Sequence, residues 1–180
     1  MKNLHQYIAS IFNDIIEKNN YSGCELILDR ACSGDQSIPL FCSISKSNQT
    51  EYCNVDILIL RNERIKVLVE IDVSKIIPTQ ICGKFLTSAL SFCYIHKNKS
   101  NCIIEMDNSV TFIQVVDTSN LDQKSKKYFQ FENIEKSIKS IIPLKNSKIG
   151  QYYLLQYKTD TPDIMTFRKS LENILENNLL

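Results

Sequence analysis

Glycine is scarce in this chain, with 4 among 180 residues, and the scarcity excludes whole classes of chemistry. Phosphate loops and dinucleotide fingerprints need glycines at fixed spacing so that backbone N–H groups can approach a phosphate, and neither pattern is present. Nucleotide-driven motors and kinases are thereby set aside. Histidine is scarcer still: His5 and His96 are the two. Cys93 stands three residues before His96, at helical spacing, but no further ligands follow at zinc spacing. A zinc site or a histidine-dependent mechanism is therefore not expected. No G-x-S-x-G elbow marks a serine hydrolase.

Charge of one sign is also missing. Lys and Arg number 21 against 20 Asp and Glu, a formal net charge of +1. Without a global basic field, any contact with nucleic acid must come from local patches. The cysteines number 7, an odd count with no C-x-x-C pair. Several sit inside apolar runs, which suits reduced, buried thiols in the cytoplasm better than a disulfide framework. The opening M-K-N-L-H-Q-Y-I-A-S-I-F is amphipathic and broken by polar residues. It reads as neither a signal peptide nor a membrane span, and no membrane partner is expected.

What remains is an alternation of helical and strand patterns in a chain long enough for one self-sufficient core. Residues 4–18 carry apolar side chains at helical spacing, with Asn3 as a cap and Asn19-Asn20 as the stop. A strand is expected at 24–28, followed by a polar excursion over 30–54 around an apolar patch at 38–44. A second helix is expected from Pro78 to about residue 95, with Ile81, Phe85, Ala89 and Phe92 on one face. Strands at 102–106 and 110–116 flank Asp107-Asn108-Ser109, a turn composition. A helix at 132–142, a strand at 151–158 and a helix at 162–177 complete the chain. The expected fold is a single mixed α/β domain with an α-β-β-β-α-β opening and a C-terminal helix-strand-helix addition.

The most informative segment is N-V-D-I-L-I-L-R-N-E-R-I-K-V-L-V-E-I-D-V, residues 54–73. It reads as a β-hairpin with Asp56 at the start of one strand and Glu70 and Asp72 at the end of the other. Carboxylates gathered at the end of an apolar ribbon are costly unless their charge is compensated. Opposed residues of an antiparallel pair have Cβ atoms about 4.5–5.5 Å apart on one face. A loop of three or five residues makes the paired numbers sum to 126, so that Asp56 faces Glu70. A four-residue loop puts them on opposite faces. A shared cation thus predicts an odd-length turn. Hard oxygen ligands of this kind suit Mg²⁺, which can polarise a phosphoryl oxygen and activate a bound water.

These residues resemble the PD-(D/E)xK nuclease superfamily: Val55-Asp56, thirteen residues, then Glu70-Ile71-Asp72. The likeness covers about 4–117, and 118–180 looks like a variable addition. It implies a restriction-endonuclease-like core with a mixed sheet flanked by helices. Asp56, Glu70 and the Ile71 carbonyl would bind Mg²⁺, with Mn²⁺ able to substitute. The chain departs from the family twice: Val55 replaces the usual Pro, and Asp72 stands where the family has Lys. The lysine's part could pass to Asp72 itself, to Lys75 beyond the strand, or to Lys84 on the second helix, with Gln80 one turn before it. The family's first helix often lends a Glu to orient water, for which Glu17 is the candidate and Glu25 the fallback. The implied activity is a type II restriction endonuclease acting as a homodimer on double-stranded DNA. Alternatives are a structure-specific repair or junction nuclease, or a non-catalytic DNA- or protein-binding domain of the same fold. Candidate contact surfaces for DNA are the basic segments 124–128 and 145–148, the run from Tyr152 to Lys158, and Arg30, Lys46, Asn48 and Gln49 in the polar excursion.

Overall fold

The computed structural model describes residues 4–73, 77–96, 99–122, 124–159 and 161–179. The elements in chain order are α1 (Leu4–Asn19), β1 (Cys24–Leu28), β2 (Ile38–Phe41), β3 (Glu51–Val55), β4 (Ile57–Arg61), β5 (Arg64–Asp72), α2 (Pro78–Ala89), β6 (Cys93–His96), β7 (Cys102–Asp117), α3 (Lys127–Ile141), β8 (Ile149–Tyr157) and α4 (Thr161–Leu179). The fold is α/β, with a mixed, open sheet of eight strands in the order β1-β4-β5-β7-β6-β2-β3, and β8 paired to β7.

The long β7 organises this sheet. Its first residues pair antiparallel with β6, and its second half runs parallel between β5 and β8. A parallel strand covered on both faces has to be apolar on both, and β5 is buried from Ile65 to Ile71 apart from half-buried Lys66. Two apolar layers result. On one face Leu58, Leu68 and Phe112 pack under α2 and α3 through Ile81, Phe85 and Phe131, and Tyr94 of β6 joins the same layer. On the other, Ile57, Val67, Val69 and Ile113 pack under α1 and α4 through Ile8, Phe12, Ile15, Leu171 and Leu175. The alternation within the hairpin thus sorts Leu58, Leu60, Ile65 and Leu68 toward α2, and Ile57, Ile59, Val67, Val69 and Ile71 toward α1.

Four expectations change. The opening holds five strands between α1 and α2, because β3, a polar edge strand, joins β2 within the excursion. The helix expected to reach residue 95 stops at Ala89. Phe92 donates its N–H to the Phe41 carbonyl at 2.7 Å, so the apolar spacing there belongs to β6, buried at all four residues. Cys93 and His96 are consequently strand neighbours on opposite faces, not a helical pair. Asp107-Asn108-Ser109 does not reverse the chain. β7 passes through it as a bulge, with Ile65 paired to Met106 and Val67 to Thr111, and Lys66 bonds both Asp107 and the Ser109 carbonyl at 3.1 Å.

The hairpin turn is shorter than expected as well. Arg61 pairs with Arg64, leaving the two-residue turn Asn62-Glu63, both with positive φ, at 51° and 61°. That is the left-handed pair of a type I′ turn, whose twist matches the flanking strands. Taken alone, this even-length turn would set Asp56 and Glu70 on opposite faces. A β-bulge at Lys66 supplies the extra residue, because Leu60 pairs with Ile65 and Ile59 with Val67. From Ile59 onward the paired numbers again sum to 126.

One loop places the site from outside the hairpin. Gly34 donates its N–H to the Asp29 carbonyl at 2.7 Å. A Cβ on Gly34 would overlap the Leu28 carbonyl and stand 2.8 Å from that of Asp29. Gly34→Ala is therefore expected to destabilise the protein by roughly 1–3 kcal/mol, the usual cost of overpacking, seen as a lowered denaturation midpoint in urea.

Candidate active site

Asp56 occupies the bend between β3 and β4 and is pinned by backbone on two sides. Its N–H donates to the Val69 carbonyl at 3.0 Å, and its own carbonyl accepts the Asp29 N–H at 2.9 Å. Its carboxylate Oδ2 accepts the Ile71 N–H at 2.6 Å. An extended residue directs its N–H and C=O to the same edge, so the Ile71 carbonyl also faces the Asp56 side, beyond the last β4 pair. Glu70 and Asp72 project to the α2 face. There Lys84 Nζ lies 3.1 Å from Glu70 Oε2 and 2.8 Å from Asp72 Oδ1. Asp56, Glu70, Asp72 and Lys84 thus form one cluster.

Burial dominates the electrostatics. Glu70 is 4 % exposed, and desolvation pushes its carboxyl from the ordinary 4.5 to about 8, against the pull of Lys84 and with help from Asp56 and Asp72. Burial also raises Asp56, opposed by the Ile71 N–H and by His5. Burial works against the Lys84 charge, but Glu70 and Asp72 outweigh it and hold the ammonium above its ordinary range. Lys84 is therefore a fixed cation at neutral pH and not a proton acceptor. Burial favours the protonated form of Glu70 at neutral pH, and ionising it would add a further carboxylate charge beside Asp56 and Asp72. A divalent cation would offset that charge, and the donor set of carboxylate oxygens and a backbone carbonyl is the hard kind that suits Mg²⁺.

The raised Glu70 pKa fixes a pH dependence. Between about 4.5 and about 8 the folded state binds a proton that the unfolded state has released. Stability of the metal-free protein must therefore fall as pH rises through this window. Thermal melting from pH 5 to pH 9 in EDTA is expected to show that decline, and Glu70→Gln to flatten it.

Other candidate residues lie elsewhere. Gln80 turns back to the start of α2, where its Oε1 accepts the Ile77 N–H at 3.3 Å. Its local role as a helix cap takes it out of the cluster. Glu17 is exposed at the far end of α1 and accepts from Asn13 Nδ2 at 2.7 Å. α1 contributes His5 instead, whose Nε2 is 3.9 Å from Asp56 Oδ1. Glu25 pairs with Lys99 at 2.6 Å, outside the cluster. Lys75 lies outside the described residues. Of the tyrosines expected on a contact surface, Tyr152 and Tyr157 are core residues, and Lys139 lies 4.9 Å above the Tyr153 ring.

Three further residues reach the site from outside the hairpin. Gln114, fully buried in β7 beside Glu70, donates to Asp72 Oδ2 at 3.5 Å and accepts from the Tyr152 hydroxyl at 2.7 Å. A lone amide in the apolar run 110–116 was the available hint. Asp29 and Cys32 reach Asp56 from the loop after β1, and ligating atoms of the three lie within 4.8 Å of one another. Burial, then the charges of Asp56 and Asp29, raise the Cys32 thiol far above its ordinary range, so it stays a protonated thiol. No family model matches this chain, and no curated protein or solved structure does either, so its chemistry has to be drawn from the residues themselves.

Proposed function

We propose that this chain is a Mg²⁺-dependent DNA endonuclease of restriction-endonuclease-like fold, of the type II restriction class. The observation that carries the proposal is the Asp56 carboxylate seated on the Ile71 N–H at 2.6 Å, on the hairpin end that also presents Glu70 and Asp72. Asp56, Glu70 and the Ile71 carbonyl are the residues that would hold the ion. When bound there, it supplies polarisation of a phosphoryl oxygen and a water of lowered pKa. Lys84, fixed as a cation, balances Glu70 and Asp72 and offers positive charge where a phosphodiester gains negative charge. Asp72, held by Lys84 and Gln114, would orient a water. Cutting both strands of a duplex calls for two such sites related by a twofold axis, hence a homodimer.

Supercoiled plasmid incubated with Mg²⁺ or Mn²⁺ is expected to be nicked and linearised, and EDTA to stop the reaction. Cleavage confined to branched or flapped duplexes would shift the assignment to a structure-specific nuclease. The Lys84 ammonium bridging Glu70 and Asp72 also favours a second reading, a non-catalytic binding domain in which that lysine permanently takes the place of the ion. DNA retention without cleavage in either metal would select it.

A further inference from the structure

A cleft of about 530 Å³ opens between β1, the loop at 34–36 and the end of β6. Its sides include residues 26–28 of β1, with Glu25, Asp35 and Lys99 at its edges. Gln36 and His96 line it while each is only 6 % exposed. Gln36 Oε1 and His96 Nδ1 are buried with no hydrogen-bond partner, as is the hydroxyl of Tyr94, whose ring lies 5.4 Å from that of His96. Buried polar atoms left unpaired are costly, and the two that belong to lining residues, Gln36 Oε1 and His96 Nδ1, mark a place where a ligand completes the bonding.

The lining selects the ligand's chemistry. Glu25 and Asp35 bring negative charge to the cleft, and Lys99, the one cation among the described lining residues, is already paired with Glu25 at 2.6 Å. A phosphate or carboxylate is therefore disfavoured. Burial, then the Lys99 charge, hold His96 below its ordinary pKa, so it meets a ligand as a neutral imidazole. Gln36 Oε1 only accepts, and so requires an N–H or O–H donor, of which an exocyclic amino group is one. Ile27 of β1, which packs in the same apolar layer as Tyr94, offers an apolar side to a flat ring. Location supplies the rest. Leu28 lines the cleft, and the next residue, Asp29, bonds the Asp56 carbonyl.

We propose that this cleft receives an unpaired nucleobase bearing an exocyclic amino group, drawn from the substrate strand beside the carboxylate cluster. The amino group donates to Gln36 Oε1, and the ring edge meets His96. The proposal rests on the nuclease assignment for its substrate, but it can be tested without metal or cleavage.

Adenosine, cytidine, guanosine and thymidine are each titrated at millimolar concentration into isotope-labelled protein in EDTA, followed by NMR. At least one amino-bearing nucleoside is expected to shift the Gln36 side-chain amide and the His96 ring saturably, with thymidine at least tenfold weaker. Gln36→Met should weaken that response about tenfold, the worth of one buried hydrogen bond, without lowering the melting temperature, because an unpaired polar atom is removed. No saturable shift with any amino-bearing nucleoside, equal response to thymidine, or an unchanged response in Gln36→Met would overturn the proposal. Asp56→Ala separates the two ideas, since it should abolish cleavage and leave the nucleoside shifts intact. Cleavage without nucleoside binding refutes the base pocket alone, and nucleoside binding without cleavage refutes the nuclease alone.

Discussion

Asp56→Ala is expected to lower Mg²⁺-dependent DNA cleavage by about three orders of magnitude, since metal polarisation is worth several kcal/mol and about 1.4 kcal/mol is tenfold in rate. Asp56 is the residue through which the two strands of the hairpin meet at the site. Its carboxylate is held by the Ile71 N–H at 2.6 Å, and its backbone ties β5 to the Asp29 loop. Truncation removes an oxygen ligand and leaves those backbone bonds in place. The protein should therefore fold, and the loss should appear in the turnover rate under saturating metal. A variant cleaving at even a tenth of the wild-type rate would place the chemistry elsewhere. Asp56→Asn, which keeps the acceptor for Ile71 but not the charge, should be nearly as inactive.

The second large effect concerns stability. Lys84→Met removes the one ammonium among the described residues that faces both Glu70 and Asp72. Breaking a buried ion pair costs about 3–5 kcal/mol, but the Lys84 side chain is 35 % exposed, so water screens part of its effect. About 2–3 kcal/mol is the expected loss at pH 9, where Glu70 is ionised. For a chain of this size, that lowers the melting temperature by roughly 4–12 °C. At pH 6 the loss should be smaller, because Glu70 can keep its proton. Mg²⁺ should restore much of the stability at pH 9, since a bound ion supplies the charge that the variant lacks. Equal destabilisation at both pH values, with no response to Mg²⁺, would mean that Lys84 acts through packing alone.

The sequence displays some of this site openly and conceals the remainder for physical reasons. The hairpin is legible because its apolar runs admit only one sorting of faces, and Glu70 and Asp72 share a face by strand alternation. Parity of the turn is not legible. Asn62-Glu63 and the bulge at Lys66 together restore the register that an odd-length loop would have produced, and a bulge leaves little mark in a short sequence. Lys84 is visible as a basic residue on the helix after the hairpin. Gln80, one turn earlier, presents the same signal but is consumed by capping its own helix. Gln114, Asp29 and His5 meet the cluster through tertiary packing across long stretches of chain, and no local period encodes that. Apolar residues at 85, 89 and 92 continue a helical spacing past the end of α2 at Ala89, and the short apolar run that follows fits a helix and a buried strand alike.

A calorimetric titration of Mn²⁺ as a function of pH tests the central claim, that Asp56 and Glu70 form a hard-metal site whose ion displaces the Glu70 proton. Metal ligands must be deprotonated to bind, and Glu70 titrates at about 8. The wild-type protein should show one class of saturable site whose affinity rises about tenfold per pH unit from pH 6 to pH 8 and then levels off. In Glu70→Gln that slope should vanish along with most of the affinity, and in the Asp56→Ala, Glu70→Gln double variant binding should disappear. Binding of undiminished strength in the double variant, or none in the wild type at any pH, would contradict the account.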